Sequence, residues 1–357
     1  MPITLVKQHT TRAQQTMNHN STMASKKRPY LAILLVLSLM SKEVSCTEHD
    51  DQSLLRRRDE SVALTWIIEP SHEFSYRKQD LNGPDHWYTV KLHNQGRWNT
   101  SPSLDDYNHC NMLPIESPIN VVANSECQRQ RPMKIYTPQQ DSCTIDNISF
   151  DVTPFGVRAL LLEQCQPPTI VLASGTEAVV WTFTGIQLKM RSEHTLEGVQ
   201  FDGELVLTHS HKSRGTMHIS IMLDASSLTR EERMESLITR WEQSARKSRT
   251  LCQKETARLT TTNYPPGGPF PYDIMTSQSY FEYDGTLTVP PCTPNVRWIL
   301  LDKPLKVSKA QYKRLAMLMT QWMDPSTCRE HDTALAETGE NVRPLQDGKQ
   351  ISVAYCV

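Results

Sequence analysis

The chain of 357 residues carries 38 basic and 39 acidic side chains, a formal charge of −1, and 38% hydrophobic residues. That balance gives no electrostatic reason for nucleic acid or an anionic membrane as a partner. The apolar content suffices for one large domain or two modest ones.

Near the N-terminus, the basic lead-in Met23-Ala-Ser-Lys-Lys-Arg-Pro-Tyr30 precedes an apolar run from Leu31 to Met40, then polar residues and Val44-Ser45-Cys46. This is the three-part pattern of a secretory signal peptide, spanning about 23–46, with small residues suited to cleavage after Cys46. The apolar run is too short for a helix to span a bilayer core of roughly 30 Å. Initiation at Met23 would make residues 1–22 dispensable. Residues 47–70 form a polar leader in which Arg56-Arg57-Arg58 is either a solvated charge run or a processing site. The remainder, 71–357, reads as one domain, and Val342–Val357 lacks the hydrophobic tail of a lipid-anchor signal.

Six β-rich runs follow: Val157–Leu162, Ile170–Leu172, Val179–Thr184, Gln187–Arg191, Glu204–Thr208 and Thr216–Leu223. A helix is expected after Thr229-Arg-Glu-Glu232, a capping-box pattern ahead of the stripe Met234, Leu237, Ile238 and Trp241. Another is expected after Ser308-Lys-Ala-Gln311, with Tyr312, Leu315 and Met319 on one face. Between them, 263–272 is an irregular Pro/Gly loop. The fold class is therefore mainly β (α+β), with peripheral helices.

Nine cysteines become eight if Cys46 leaves with the signal. An even number in a secreted chain suggests up to four disulfides. Asn99-Thr-Ser and Asn147-Ile-Ser are glycosylation sequons, which suit surface loops of a secreted protein.

Several segments in order resemble the α-class carbonic anhydrases. They are Phe74-Ser-Tyr76 with Asn82-Gly-Pro-Asp-His-Trp87; Cys110 with Glu116-Ser-Pro-Ile-Asn120; and Ser192-Glu-His-Thr195 with Gly203-Glu-Leu-Val-Leu-Thr-His209. After these come Tyr283-Asp-Gly-Thr-Leu-Thr-Val-Pro-Pro-Cys292 with Trp298, and Asn341-Val-Arg-Pro-Leu-Gln346. The resemblance implies one domain around a large, twisted, mostly antiparallel sheet. It also implies a disulfide between Cys110 and Cys292, and leaves Cys127, Cys143, Cys165, Cys252, Cys328 and Cys356 unassigned.

The family hydrates CO₂ on a zinc held by three histidines, two of them an H-x-H pair on one strand. Alternate strand residues share a face, so such a pair offers two imidazoles to one ion. Here the matching positions carry Lys189 and Arg191, and the third falls at Val206. Neither a protonated ammonium, nor a guanidinium, nor an isopropyl group ligates zinc at neutral pH. The aromatic-glycine turn after the pair is also missing.

By resemblance, Gln187 and Glu204 match residues that orient zinc histidines, and Glu193 and Thr288 match the pair that orients the bound hydroxide. Val289 replaces a threonine. Leu287 and Trp298 keep apolar pocket positions, whereas Thr208 and His218 replace aliphatic ones. The shuttle region near Phe155-Gly-Val157 offers no histidine. His194 matches a structural histidine. His209 and His211 form another H-x-H, but their parity is opposite to Val206, so they should face away from the cleft as surface histidines. Two arrangements stay open for the cations: Lys189 and Arg191 pair with Glu204 or Glu193 inside the cleft, or both reach solvent.

The expectation is a secreted carbonic anhydrase-related protein with no zinc or other cofactor, acting as an extracellular binding or structural module. Its partner would be a protein, a glycan or a small anion attracted to a cationic cleft. The alternatives are an active carbonate dehydratase with an unconventional metal site, and a storage or matrix protein.

Overall fold

The computed structural model describes residues 74–90, 108–126, 133–138, 141–162, 165–174, 177–252, 270–324, 327–330, 333–348 and 351–357. The signal sequence, the polar leader with its arginine triplet, Asn99 and Cys127 lie outside the described residues.

The strands are β1 (Asn120–Val121), β2 (Ser125–Glu126), β3 (Lys134–Tyr136), β4 (Ile148–Thr153), β5 (Gly156–Leu161), β6 (Thr169–Ser174), β7 (Glu177–Met190), β8 (Thr195–Leu196), β9 (Val199–Gln200), β10 (Gly203–His211) and β11 (Gly215–Ser227). Helix α1 (Glu232–Cys252) follows, then β12 (Tyr280–Thr286), β13 (Pro294–Leu301), β14 (Leu305–Ser308), helix α2 (Lys309–Met319) and β15 (Ala354–Cys356). A 12-stranded sheet runs in the order β2-β15-β12-β13-β11-β10-β7-β5-β4, with β14 beside β11, and β6 between β7 and β3. Most pairs are antiparallel; β11–β13, β11–β14 and β15–β2 are parallel.

Side chains alternate across a strand, and this alternation divides the sheet into two unlike faces. Leu188, Leu205, Leu207, Ile219, Ile221, Leu223, Ile299 and Leu301 form the core of one face. The helices cover it with Met234, Leu237, Ile238 and Trp241 of α1, and Leu315, Leu318 and Met319 of α2. Burying a side chain of that size contributes about 1.5–3 kcal/mol. The other face carries a smaller cluster of Val206, Met222, Tyr283, Leu287, Trp298 and Leu300, interleaved with polar residues.

Ser308 caps α2 as its sequence requires: its hydroxyl accepts from the Gln311 N–H, and the Gln311 side chain accepts from the Ser308 N–H. The same Gln311 amide reaches the Glu231 backbone at 2.7 and 3.0 Å, joining the two helices. The capping box expected at Thr229 does not form. Helix α1 starts at Glu232, so the Met234 N–H is taken by the nearer carboxylate of Glu231 at 2.6 Å, while Thr229 turns back to Ser227.

The runs expected at 179–184 and 187–191 are one continuous strand, β7. Gly185 pairs with both Thr208 and Leu160, and β7 carries one extra residue, Thr184, where the register steps from Thr208–Gly185 to His209–Phe183. Because β7 ends at Met190, opposite Gly203, Arg191 falls outside the sheet. A two-residue turn then joins β8 to β9, with Glu197 at φ 50° and Gly198 at φ 81°. This is the left-handed geometry that tight hairpins need.

Disulfides join Cys110 to Cys292, Cys143 to Cys165 and Cys252 to Cys328, and Cys356 is also disulfide-bonded. Among the described residues, no helix is long and apolar enough to cross a membrane.

Candidate functional site

Register brings Gln187, Lys189, Glu204, Val206, Thr208, His218 and Trp298 to the second face of the sheet. Glu204 lies opposite Lys189, Val206 opposite Gln187, and Thr208 opposite His218, which in turn neighbours Trp298. Lys189, Glu204, Val206, Thr208, His218, Leu287, Thr288 and Trp298 are buried, while Gln187 and Val289 are partly exposed.

Lys189 is the charged centre. Its ammonium donates to Glu193 Oε1 at 3.0 Å and to the Tyr76 hydroxyl at 3.2 Å, and stands 5.4 Å from the centre of the Tyr76 ring. Burial works against the cation, but Glu193 and Tyr76 outweigh it and hold the ammonium well above the ordinary lysine range. Burial, opposed by Lys189 and helped by Glu193, pushes the Tyr76 phenol up to about 12. Lys189 is therefore protonated at neutral pH and has no lone pair to give a metal.

Glu193 Oε1 also accepts the Arg343 N–H at 3.0 Å, while its buried Oε2 has no hydrogen-bond partner among the described residues. No hydrogen bond joins Glu193 to Thr288 among the described residues.

Glu204 does not pair with Lys189. Its Oε1 accepts from Ser220 at 2.7 Å and contacts His194 Nδ1 at 2.9 Å, and its Oε2 accepts the N–H groups of Glu193 and His194 at 2.8 and 3.0 Å. Burial would raise this carboxyl, but His194, Ser220 and the backbone N–H outweigh it and bring it down to about 2. The network continues from His194 Nε2 to the Tyr283 hydroxyl at 2.6 Å, and from there to Ser117 Oγ at 2.9 Å. Gly285 is required beside it, because a Cβ there would collide with Ser117 Oγ and the Tyr283 ring.

Arg191 does not enter the site. Its guanidinium is half exposed, donates to Gln200, and lies 3.9 Å from Glu340. The two cations thus follow different courses, one inward to Glu193 and one outward, where both had been expected to share a course. The cause is the end of β7 between them.

His218 lies flat on Trp298, with ring centres 4.6 Å apart, and its Nδ1 is 3.4 Å from the Thr208 hydroxyl. Burial, with smaller contributions from His209, Lys189 and His194, pushes it down to about 3. Leu287 packs with Val206 and Trp298. Val289 instead joins the aromatic cluster of Phe74, Tyr76 and Trp87.

His209 does face the opposite side of the sheet, but it is a core residue and not a surface one. It stacks on Tyr272 at 5.7 Å with Nε2 2.8 Å from that hydroxyl, and burial pushes it down to about 3. His211 lies at the rim beside Trp181. Among the described residues, no three His, Cys, Asp or Glu side chains converge as a metal-holding group.

Contributors not assigned roles from sequence include Ser117, Ser220 and Tyr283 of the Glu204 network, and Tyr76, Asn341 and Arg343. Asn341 accepts the Met190 N–H at 2.8 Å and donates to Leu188 O at 2.9 Å, which fixes the end of β7. Arg343 reaches Ser117 O at 2.7 Å, Asn111 Oδ1 at 3.0 Å and the Glu116 carboxylate. Their motifs flagged the positions, but only the fold shows the distant elements they join.

Comparison with known proteins agrees with this architecture. Residues 93–356 match the model of the eukaryotic-type carbonic anhydrase family. Alpha carbonic anhydrase 7 of Arabidopsis thaliana is 23% identical over 287 residues, covering 78% of this chain and 83% of that protein. The human carbonic anhydrase-related protein is 36% identical over 69 residues, 19% of this chain and 23% of that one. The solved α-carbonic anhydrase of Photobacterium profundum superposes with a TM-score of 0.51 at 18% identity, covering 79% of this chain and all (100%) of that chain. With a large, mostly antiparallel sheet and a family match across most of its length, this chain belongs to the eukaryotic-type carbonic anhydrases.

Proposed function

We propose that the chain is a secreted carbonic anhydrase-related protein that does not hydrate CO₂ and serves as an extracellular binding or structural module. The observation that carries this reading is the buried Lys189 ammonium, 3.0 Å from Glu193, at the position where the family resemblance implies the first zinc histidine. A zinc ion needs neutral nitrogen, thiolate or carboxylate donors converging on one point. The matched positions offer a protonated amine, a guanidinium directed outward and a valine, so zinc does not fit this donor set. Without the ion, nothing lowers the pKa of a water toward 7 to provide hydroxide.

Two features support secretion: the signal-peptide pattern at 23–46 and the disulfides, which persist in oxidising compartments. Charge compensation in the cleft supports one class of partner over another. Glu193 already compensates Lys189 and Arg191 lies outside, so the cleft is not the cationic anion trap its sequence suggests. A protein or glycan bound at the surface suits it better.

Elemental analysis and stopped-flow CO₂ hydration on the purified secreted protein test this reading. The expected result is substoichiometric zinc and hydration at the uncatalysed rate. One tightly held zinc per chain with chelator-sensitive hydration establishes the enzyme instead. A binding screen against glycans and extracellular proteins separates a binding module from a storage or matrix protein.

A further inference from the structure

Among the described residues β4 is the last strand at one end of the sheet order, and a sheet edge is a template for pairing with another chain. Asn147, the first residue of the Asn147-Ile-Ser149 sequon, lies immediately before this strand. It belongs to a short 3-10 turn, where its Oδ1 accepts from the Thr144 N–H at 2.9 Å and from the Thr144 hydroxyl at 3.2 Å. The carbonyl end of the amide is thereby fixed, while Nδ2, the atom that carries an N-linked glycan, takes no part in those bonds. Asp146 beside it is ion-paired to Arg240 of α1, and Cys143 is bonded to Cys165, so the turn is held on both sides.

The register shows what such a glycan would cover. Leu162 N–H donates to Asn147 O at 2.9 Å, and Ser149 is paired with Leu160. Residues directly opposite in an antiparallel pair point to the same side, so Ser149 shares its side of the hairpin with Leu160, and Asn147, in the turn just before, is bonded through its backbone to Leu162. Their neighbour Leu161 points the other way and packs on the core. Leu162 is 45% exposed and Leu160 is half-buried, which places two apolar side chains beside the last strand of the sheet order.

We infer that Asn147 carries an N-linked glycan that lies over Leu160 and Leu162 and shields the β4 edge from self-association. This rests on the secretory reading above, because glycan transfer needs passage through the secretory pathway.

The test uses the full chain expressed in a glycosylating eukaryotic host. Peptide mapping before and after endoglycosidase reports occupancy at Asn147, and light scattering with a hydrophobic dye reports the patch. Ser149→Ala destroys the sequon but leaves the Asn147–Thr144 bonds intact, and Ser149→Thr keeps the sequon. The expected result is an occupied, monomeric wild type and S149T. S149A should be bare, with higher dye fluorescence and a shift to dimers or larger species that S149A/L162S reverses. A secreted chain with bare Asn147 overturns the inference while sparing the secretory reading. So does a bare S149A that stays monomeric with unchanged dye binding. A chain retained in the cytosol overturns both.

Discussion

The two faces of the central sheet are built by the same strands, yet they are stabilised differently. On the helix-covered face Leu205, Leu207, Ile219 and Ile221 are interchangeable in kind: each adds non-directional apolar burial. On the other face Lys189, Glu193, Glu204, His194 and Ser220 are bound to specific partners, each of which is costly to leave alone. One face tolerates drift toward any apolar side chain of similar volume. The other accepts a change only when its partners change with it. A lysine is accommodated on that second face because Glu193 and Tyr76 receive its ammonium.

Substitutions sharpen this contrast, the strongest first. Lys189→Met should cost about 3–5 kcal/mol in denaturant unfolding, because Glu193 is left as a buried uncompensated charge. Lys189→Met combined with Glu193→Gln should regain most of that loss. If the double variant is no better than the single, the pair is not the source. Leu205→Ala on the helix face should cost about 2–5 kcal/mol, and Glu193→Gln should not restore any of that loss.

Acid should act mainly through the buried histidines. His209 and His218 sit near 3 against an ordinary 6.5. Their depressed values mean that the unfolded chain binds more protons between those limits. Stability is then full above about pH 6.5 and falls as pH drops toward 3, by up to about 1.4 kcal/mol per pH unit per histidine. Glu204, near 2 against 4.5, adds a further loss below about pH 4.5. A His218→Leu variant should show a shallower acid slope in pH-dependent thermal unfolding; an unchanged slope refutes the assignment.

Gln311→Ala removes the α2 cap and the link to Glu231 together, and should cost about 1–2 kcal/mol. Arg191→Ala should change stability by less than about 0.5 kcal/mol, because its guanidinium is half exposed and its ion pair with Glu340 is long, at 3.9 Å. A large effect there would mean that Arg191 does belong to the site.

The alternation of polar and apolar residues, the Ser308 capping box and the ordered family motifs announced a β-rich carbonic anhydrase fold before any coordinates. By resemblance they also match Lys189, Arg191 and Val206 to positions where zinc chemistry would need imidazoles, and the proposed function rests on that match. Local pattern suffices for such features because each is settled within a few residues along the chain.

What pattern left open was the choice of partner. That Lys189 turns to Glu193 and Tyr76, that Glu204 belongs to His194 and Ser220, and that His209 is a core residue all depend on register across strands and on segments far apart in sequence. The end of β7 at Met190 separates Lys189 from Arg191, though only one residue stands between them. Burial then makes the inward cation depend on its partners and leaves the outward one to water.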